Sequence, residues 1–165
     1  MIGYLADVGG LIVGGLLFAA AIALWLLGRG REAEATTESE QGWEAIELEL
    51  SRSRRMERTF SLARATLVAH PTTAARSSLL ATMRGSTRDI DACWWSGRHL
   101  LILLSETPRW GAMGLVRRLQ RELPHAAVWT IAEYPVDGLT LEALLASLED
   151  RSRSVAQLEV SDGAV

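Results

Sequence analysis

The sequence contains no lysine; all seventeen basic residues are arginines. A Schiff-base lysine and the lysine of a phosphate-binding loop are therefore unavailable, and the enzyme classes built on them fall away. Cysteine is nearly absent too. The single Cys93 excludes an intramolecular disulfide, fits a reducing compartment and reads as a small buried hydrophobe. His70, His99 and His125 are scattered over element boundaries with no cysteine or carboxylate at ligand spacing, so no metal site is expected. Ser96 and Ser105 lack the glycine elbow of a hydrolase nucleophile. The net charge of -3 gives no basic field, and nucleic acid is not an expected partner.

What is present is unevenly spread. Residues 8–27, VGGLIVGGLLFAAAIALWLL, run without a charge, which at helical rise is about 30 Å, the thickness of a bilayer core. This predicts a transmembrane helix. A cleavable signal peptide is the rival reading, but no basic residue precedes the block and no small-x-small site follows it before the acidic linker. Arg29 and Arg31 follow the span whereas only Asp7 precedes it, so residues 1–7 are expected outside and everything from residue 28 onward in the cytoplasm. The chain would then be a single-pass inner-membrane protein. Gly10, Gly14, Gly15, Ala19 and Ala23 allow close helix packing, which makes a homodimer one expected association.

Residues 28–42, GRGREAEATTESEQG, are polar and acidic without apolar periodicity and read as a flexible linker. Trp43, Ile46 and Leu50 then recur at helical spacing, while seven glutamates between 32 and 49 give way to Arg52, Arg54, Arg55 and Arg58, an order that suits the helix dipole. An amphipathic helix is predicted from Trp43 to Arg58. FSLARATLV (60–68) alternates like a strand, with Arg64 its awkward member. His70-Pro71 breaks the chain, and TTAARSSLLATMRGS follows as a helix with Ala75, Leu79, Leu80 and Met83 inward.

IDACWW and HLLILL form a hairpin around Ser96-Gly97-Arg98. The adjacent Trp94 and Trp95 should point to opposite faces, with packing under flanking helices their simpler role and stacking on a purine or a partner the other. Thr107 can cap, and Pro108 open, a helix with Met113, Val116, Leu119 and Leu123 inward and Trp110 in its apolar pattern. AAVWTIAEY, with Trp129 as a core residue, is the last strand; the turn PVDG leads to Thr140 as N-cap of LEALLASLED. The tail, residues 151–165, offers one short strand, VAQLEV, and otherwise reads as loosely ordered. The folded domain is thus placed at 43–150, in the α/β (α+β) class, with helices packed on a mixed sheet.

Three segments carry a family resemblance, in order: RSRRMERTFSL (52–62), LLILLSET (100–107) and IAEYPVDGLTLEALL (131–145). Together they resemble the GGDEF domain of diguanylate cyclases, a palm-like fold shared with nucleotide cyclases. The resemblance implies a site in which carboxylates hold divalent metal against a triphosphate. Active members read Gly-Gly-Asp/Glu-Glu-Phe at the hairpin tip; here the aligned residues are Ser96, Gly97, Arg98, His99 and Leu100. Arg98 and His99 supply no anionic oxygen. The aspartate that normally ends the first strand has no counterpart from Thr66 to Val68, and the segment from His70 to Thr72 is much shorter than the family's guanine-holding loop and helix. No catalytic residue, metal or cofactor is therefore expected, and residual diguanylate cyclase activity is the least favoured reading.

Many family members also carry an inhibitory Arg-x-x-Asp site ahead of the signature, and Arg88-Asp89-Ile90-Asp91 fits it. Four residues, Ala92 to Trp95, separate Asp91 from the tip, where the family usually has five. An arginine fork can take a phosphate or the Hoogsteen edge of guanine, and the aspartate can accept from the guanine N1 and N2 donors. A surface ion pair is the plainer alternative. The resemblance thus implies a membrane-anchored, catalytically inactive regulatory domain that binds cyclic di-GMP through Arg88 and Asp91 and acts on a membrane-associated protein. Its alternative is a ligand-independent scaffold.

Overall fold

The computed structural model describes residues 38–67, 69–122 and 127–162. The expected span at 8–27, residues 1–7 and the linker up to residue 37 lie outside the described residues. Among those described, no helix is long and apolar enough to cross a membrane.

A helix α1 (residues 38–56) leads into β1 (Phe60–Leu67), α2 (Thr73–Ser86), the hairpin β2 (Ala92–Ser96) and β3 (His99–Leu104), α3 (Arg109–Glu122), β4 (Ala127–Tyr134) and α4 (Leu141–Asp162). The strands form one sheet in the order β2-β3-β1-β4. Each crossover helix skips one strand position, the split βαβ arrangement of ferredoxin-like folds. Parallel-running strands are therefore never neighbours, and all pairings are antiparallel. This corrects the expected mixed sheet.

Helices cover both faces, and strand alternation sorts the side chains between them. Ala63, Ala65, Cys93, Trp95, Leu100, Ile102 and Leu104 face α2 and α3, meeting Leu80, Met83, Ala112 and Leu119. Phe60, Leu62, Trp94, Leu101, Leu103, Ala132 and Tyr134 face α1 and α4, meeting Ile46, Leu50, Leu144 and Leu148. Both tryptophans of the hairpin are consequently buried, one in each core. Trp95 lies beneath the Arg76 guanidinium, and Trp94 meets Trp43 edge-on.

Several elements depart from expectation. α1 already includes residues 38–42, the end of the expected linker. Gly42 lets the helix backbone lie on the Trp94 indole, where a Cβ would collide with the ring, and Glu38 pairs with Arg84 at 2.7 Å. α1 then stops in a Schellman arrangement: Glu57 takes φ 52°, and the Arg58 amide donates to the Ser53 carbonyl. α4 runs on to Asp162, replacing the expected strand at 155–160 with helix. Side chains on its second half bind backward along it, Arg153 to Asp150 at 3.3 Å and Ser154 to the Asp150 carbonyl at 2.9 Å. Trp110 and Met113 are exposed, not inward, because Ala112 and Leu115 join Val116 and Leu119 in the buried stripe of α3. Trp129 is half-buried against the α2/α3 core; Leu123 and His125 lie outside the described residues.

The turn between β4 and α4 is held by Asp137. Its Oδ2 accepts from the Glu133 amide at 2.7 Å and from Arg109, and its Oδ1 accepts from Arg151 at 2.7 Å. Burial pushes this carboxyl upward, but the Arg109 hydrogen bond, the Glu133 amide and the charges of Arg151 and Arg109 together hold it below its ordinary 3.8.

Two outcomes follow for stability. Gly42→Ala forces the α1 backbone off Trp94 and should lower the unfolding free energy by about 1–3 kcal/mol in urea titration, since overpacked cores lose that much. The Asp137 contribution is fully present above the ordinary carboxylate range and is lost as pH falls through the lowered folded value. Asp137→Asn should therefore flatten the acid limb of a stability-against-pH curve and cost about 1–3 kcal/mol at neutral pH; an unchanged acid limb would show that the turn is held otherwise.

Candidate functional site

The hairpin tip is a two-residue turn: Ser96 pairs with His99, and Gly97 takes φ 58°, open to a glycine at low cost. Arg98 reaches across to the end of β1 and donates to the Leu67 carbonyl at 2.8 Å. His99 stands opposite Thr66, with Nδ1 and the Thr66 hydroxyl 3.0 Å apart. Burial, and then the charges of Arg64 and Arg98, lower the His99 pKa, while Glu149 opposes them. The imidazole is thereby favoured in its neutral form.

Arg64, one row further into the sheet, is buried on the same α1/α4 face. It donates to Glu149 Oε2 at 3.0 Å and to the Leu148 carbonyl at 2.8 Å, tying the middle of β1 to α4. Glu149 is held below its ordinary pKa by that bond and charge. The carboxylate brought to this end of the sheet is thus engaged by an arginine. Among the described residues no group of three or more His, Cys, Asp or Glu side chains is placed to hold a metal. The tip thus presents Arg98 and a neutral His99, with the Arg64–Glu149 pair behind them.

The second candidate lies at the other end of β3. Arg88 and Asp91 are brought together as a tight local unit. The Asp91 carboxylate accepts the Arg88 amide at 2.9 Å, the Ser105 amide at 3.2 Å, and the Arg88 guanidinium through Nε at 3.3 Å and Nη2 at 3.1 Å. Arg88 Nη2 also lies 2.7 Å from the Ser105 carbonyl and 2.6 Å from the Thr107 hydroxyl. Thr107 itself donates to the Ser105 carbonyl, so its hydroxyl is a partner of Arg88 and not the N-cap of α3, which begins after Pro108.

The two residues differ sharply in access. The Asp91 side chain is 3% exposed and committed to the protein's own donors, whereas Arg88 is 55% exposed. Arg88 also borders a cleft of about 330 Å³ whose walls include Arg84, Asp89, Cys93 and the start of α1. Burial raises the Cys93 thiol, against the lowering influence of Thr87 and Arg84, so it is an inert part of the wall.

Ser105 and Thr107 as partners of Arg88 were not read from the sequence. Hairpin register could have found them: Ser96 opposite His99 carries down to Ala92 opposite Leu103, which sets residues 90–91 beside 104–105. Arg64 with Glu149 had no such signal, because 85 positions separate them.

Asp91→Ala strips the Arg88 and Ser105 amides of their acceptor and should destabilise the protein by about 2–3 kcal/mol, while Arg88→Ala, which removes a half-exposed partner, should cost about 1 kcal/mol. Urea unfolding of the two variants side by side checks this; equal costs would mean that Asp91 is not the anchor.

No protein-family model and no curated protein matches the chain. Solved structures do resemble it. The GGDEF domain of YfiN (TpbB) from Pseudomonas aeruginosa superposes with a TM-score of 0.57 at 15% identity, over 67% of this chain and 83% of that one. A DGC protein from Thermotoga maritima gives 0.54 at 15% identity, over 67% of this chain and 91% of that one. The four-stranded antiparallel sheet with its four helices has the fold of GGDEF domains.

Proposed function

We propose that this chain is a catalytically inactive, GGDEF-like regulatory domain, anchored in the membrane by residues 8–27 with its folded part on the cytoplasmic side. The observation that carries the non-catalytic reading is the hairpin tip. Where a metal-dependent nucleotidyl transfer needs anionic oxygens, Arg98 is bonded to the Leu67 carbonyl and His99 stands against Thr66. One row away, Glu149 is already engaged by Arg64 and offers no free carboxylate. Divalent metal is repelled by such a site.

The regulatory ligand in this reading is cyclic di-GMP, taken at Arg88. Asp91 holds the guanidinium in place, and the exposed edge of Arg88, next to the cleft that Arg84 also lines, meets phosphate or the Hoogsteen edge of a guanine. A direct contact from Asp91 to guanine requires it to release the Ser105 and Arg88 amides. The occupied domain would then act on a membrane-associated protein. A specific observation favours the second reading, a ligand-independent scaffold: every bond that Asp91 makes is internal to the fold.

Titration calorimetry of cyclic di-GMP into the full chain in detergent, beside Arg88→Ala, separates the two. Micromolar binding that Arg88→Ala abolishes is the expected result, together with no turnover of GTP in the presence of Mg²⁺ or Mn²⁺. Absence of heat from folded protein would leave the scaffold, and metal-dependent product would overturn the non-catalytic reading.

A further inference from the structure

α3 carries a surface that neither the hairpin tip nor the Arg88 cluster uses. Opposite its buried stripe, Trp110, Gly114, Arg117 and Arg121 follow one another at spacings of four, three and four, flanked by Met113 and Arg118. Trp110 is 78% exposed, the most of any large hydrophobic residue described. One turn along, Gly114 leaves open space where a side chain would otherwise flank the indole. The Arg109–Asp137 pair fastens the first turn of α3 to the β4–α4 turn, where Val136 is 70% exposed. On α3 itself, Trp110 and Met113 thus stand at one end of a strip and the arginines at the other.

Among the described side chains, Arg117, Arg118 and Arg121 make no ion pair, and the one acidic residue of α3 is Glu122 at its C-terminal end. In a chain of net charge -3 this is a strongly local concentration of positive charge.

Three occupants can be weighed against that pattern. A second copy in a two-fold pairing would oppose arginine to arginine if the strips ran parallel, and if antiparallel would desolvate arginines against Trp110 and Met113 with no anion to meet them. Nucleic acid would engage the arginines but gains nothing from exposed Met113 and Val136. An anionic lipid surface uses all of it: arginines reach headgroup phosphates, the indole sits at the interface, and the aliphatic side chains enter the acyl boundary. We infer that the exposed face of α3 docks on an anionic lipid bilayer.

The test uses the full chain reconstituted in vesicles with brominated acyl chains, made of phosphatidylcholine alone or mixed with phosphatidylglycerol. Subtracting the emission of Trp110→Phe from that of wild type isolates Trp110, while Trp25, inside residues 8–27, reports on the span through the emission common to both. Docking predicts that the Trp110 signal is quenched and blue-shifted in the anionic vesicles and not in the neutral ones. The effect should shrink about fivefold or more at raised salt or in Arg117→Gln/Arg121→Gln, as expected for loss of surface charges. Equal quenching in both lipids, no quenching in either, or indifference to the arginine variant would overturn it, as would a Trp110 response to added RNA and not to vesicles.

Discussion

β1 is hydrogen-bonded along both edges and covered by helices on both faces, so every group on it must find its partners inside the protein. For most of its residues this is a matter of shape: small Ala63 and Ala65 face α2 and α3, and large Phe60 and Leu62 face α1 and α4. Arg64 is different. Its charge sits mid-strand, and only the Leu148 carbonyl and the Glu149 carboxylate on α4 let it be there at tolerable cost. The position of α4 on the sheet and the identity of a central strand residue are therefore one constraint, which also brings a cation beneath the hairpin tip.

β3 is the rod that relates the two candidate sites. At its start lie Arg98 and His99 of the tip; at its end, Ser105 supplies a carbonyl to Arg88 and an amide to Asp91. With Leu100 to Leu104 all buried between two helix layers, the strand has little freedom to bend.

Local patterns in the sequence were legible where packing followed period. The alternation in 60–68, the apolar run of 99–104, the helical spacing of Leu80 with Met83, and the turn at Gly97 all appear in the structure within a residue or two. What failed was whatever depended on a distant surface. Trp110 joins an apolar pattern, but only the placement of Ala112 under the sheet decides that it faces outward. Residues 38–42 have a linker's composition, and it is the flat ring of Trp94 that gives Gly42 a surface to lie on. The apolar alternation at 155–160 suggested a strand, yet those residues continue α4. Of the candidate site, the Arg88–Asp91 pairing could be read locally because four positions close it, whereas the carboxylate that neutralises Arg64 could not.

The placement of Trp94 and Trp95 in opposite cores constrains more than packing. A slip of the β2–β3 register by one residue would exchange the two indoles between faces, taking one from Trp43 and Gly42 and the other from Arg76. Neither core can accept the other's contents without rebuilding. Register within Ala92–Ser96 is thereby tied to both cores at once, and a change of length there has to be absorbed by a bulge.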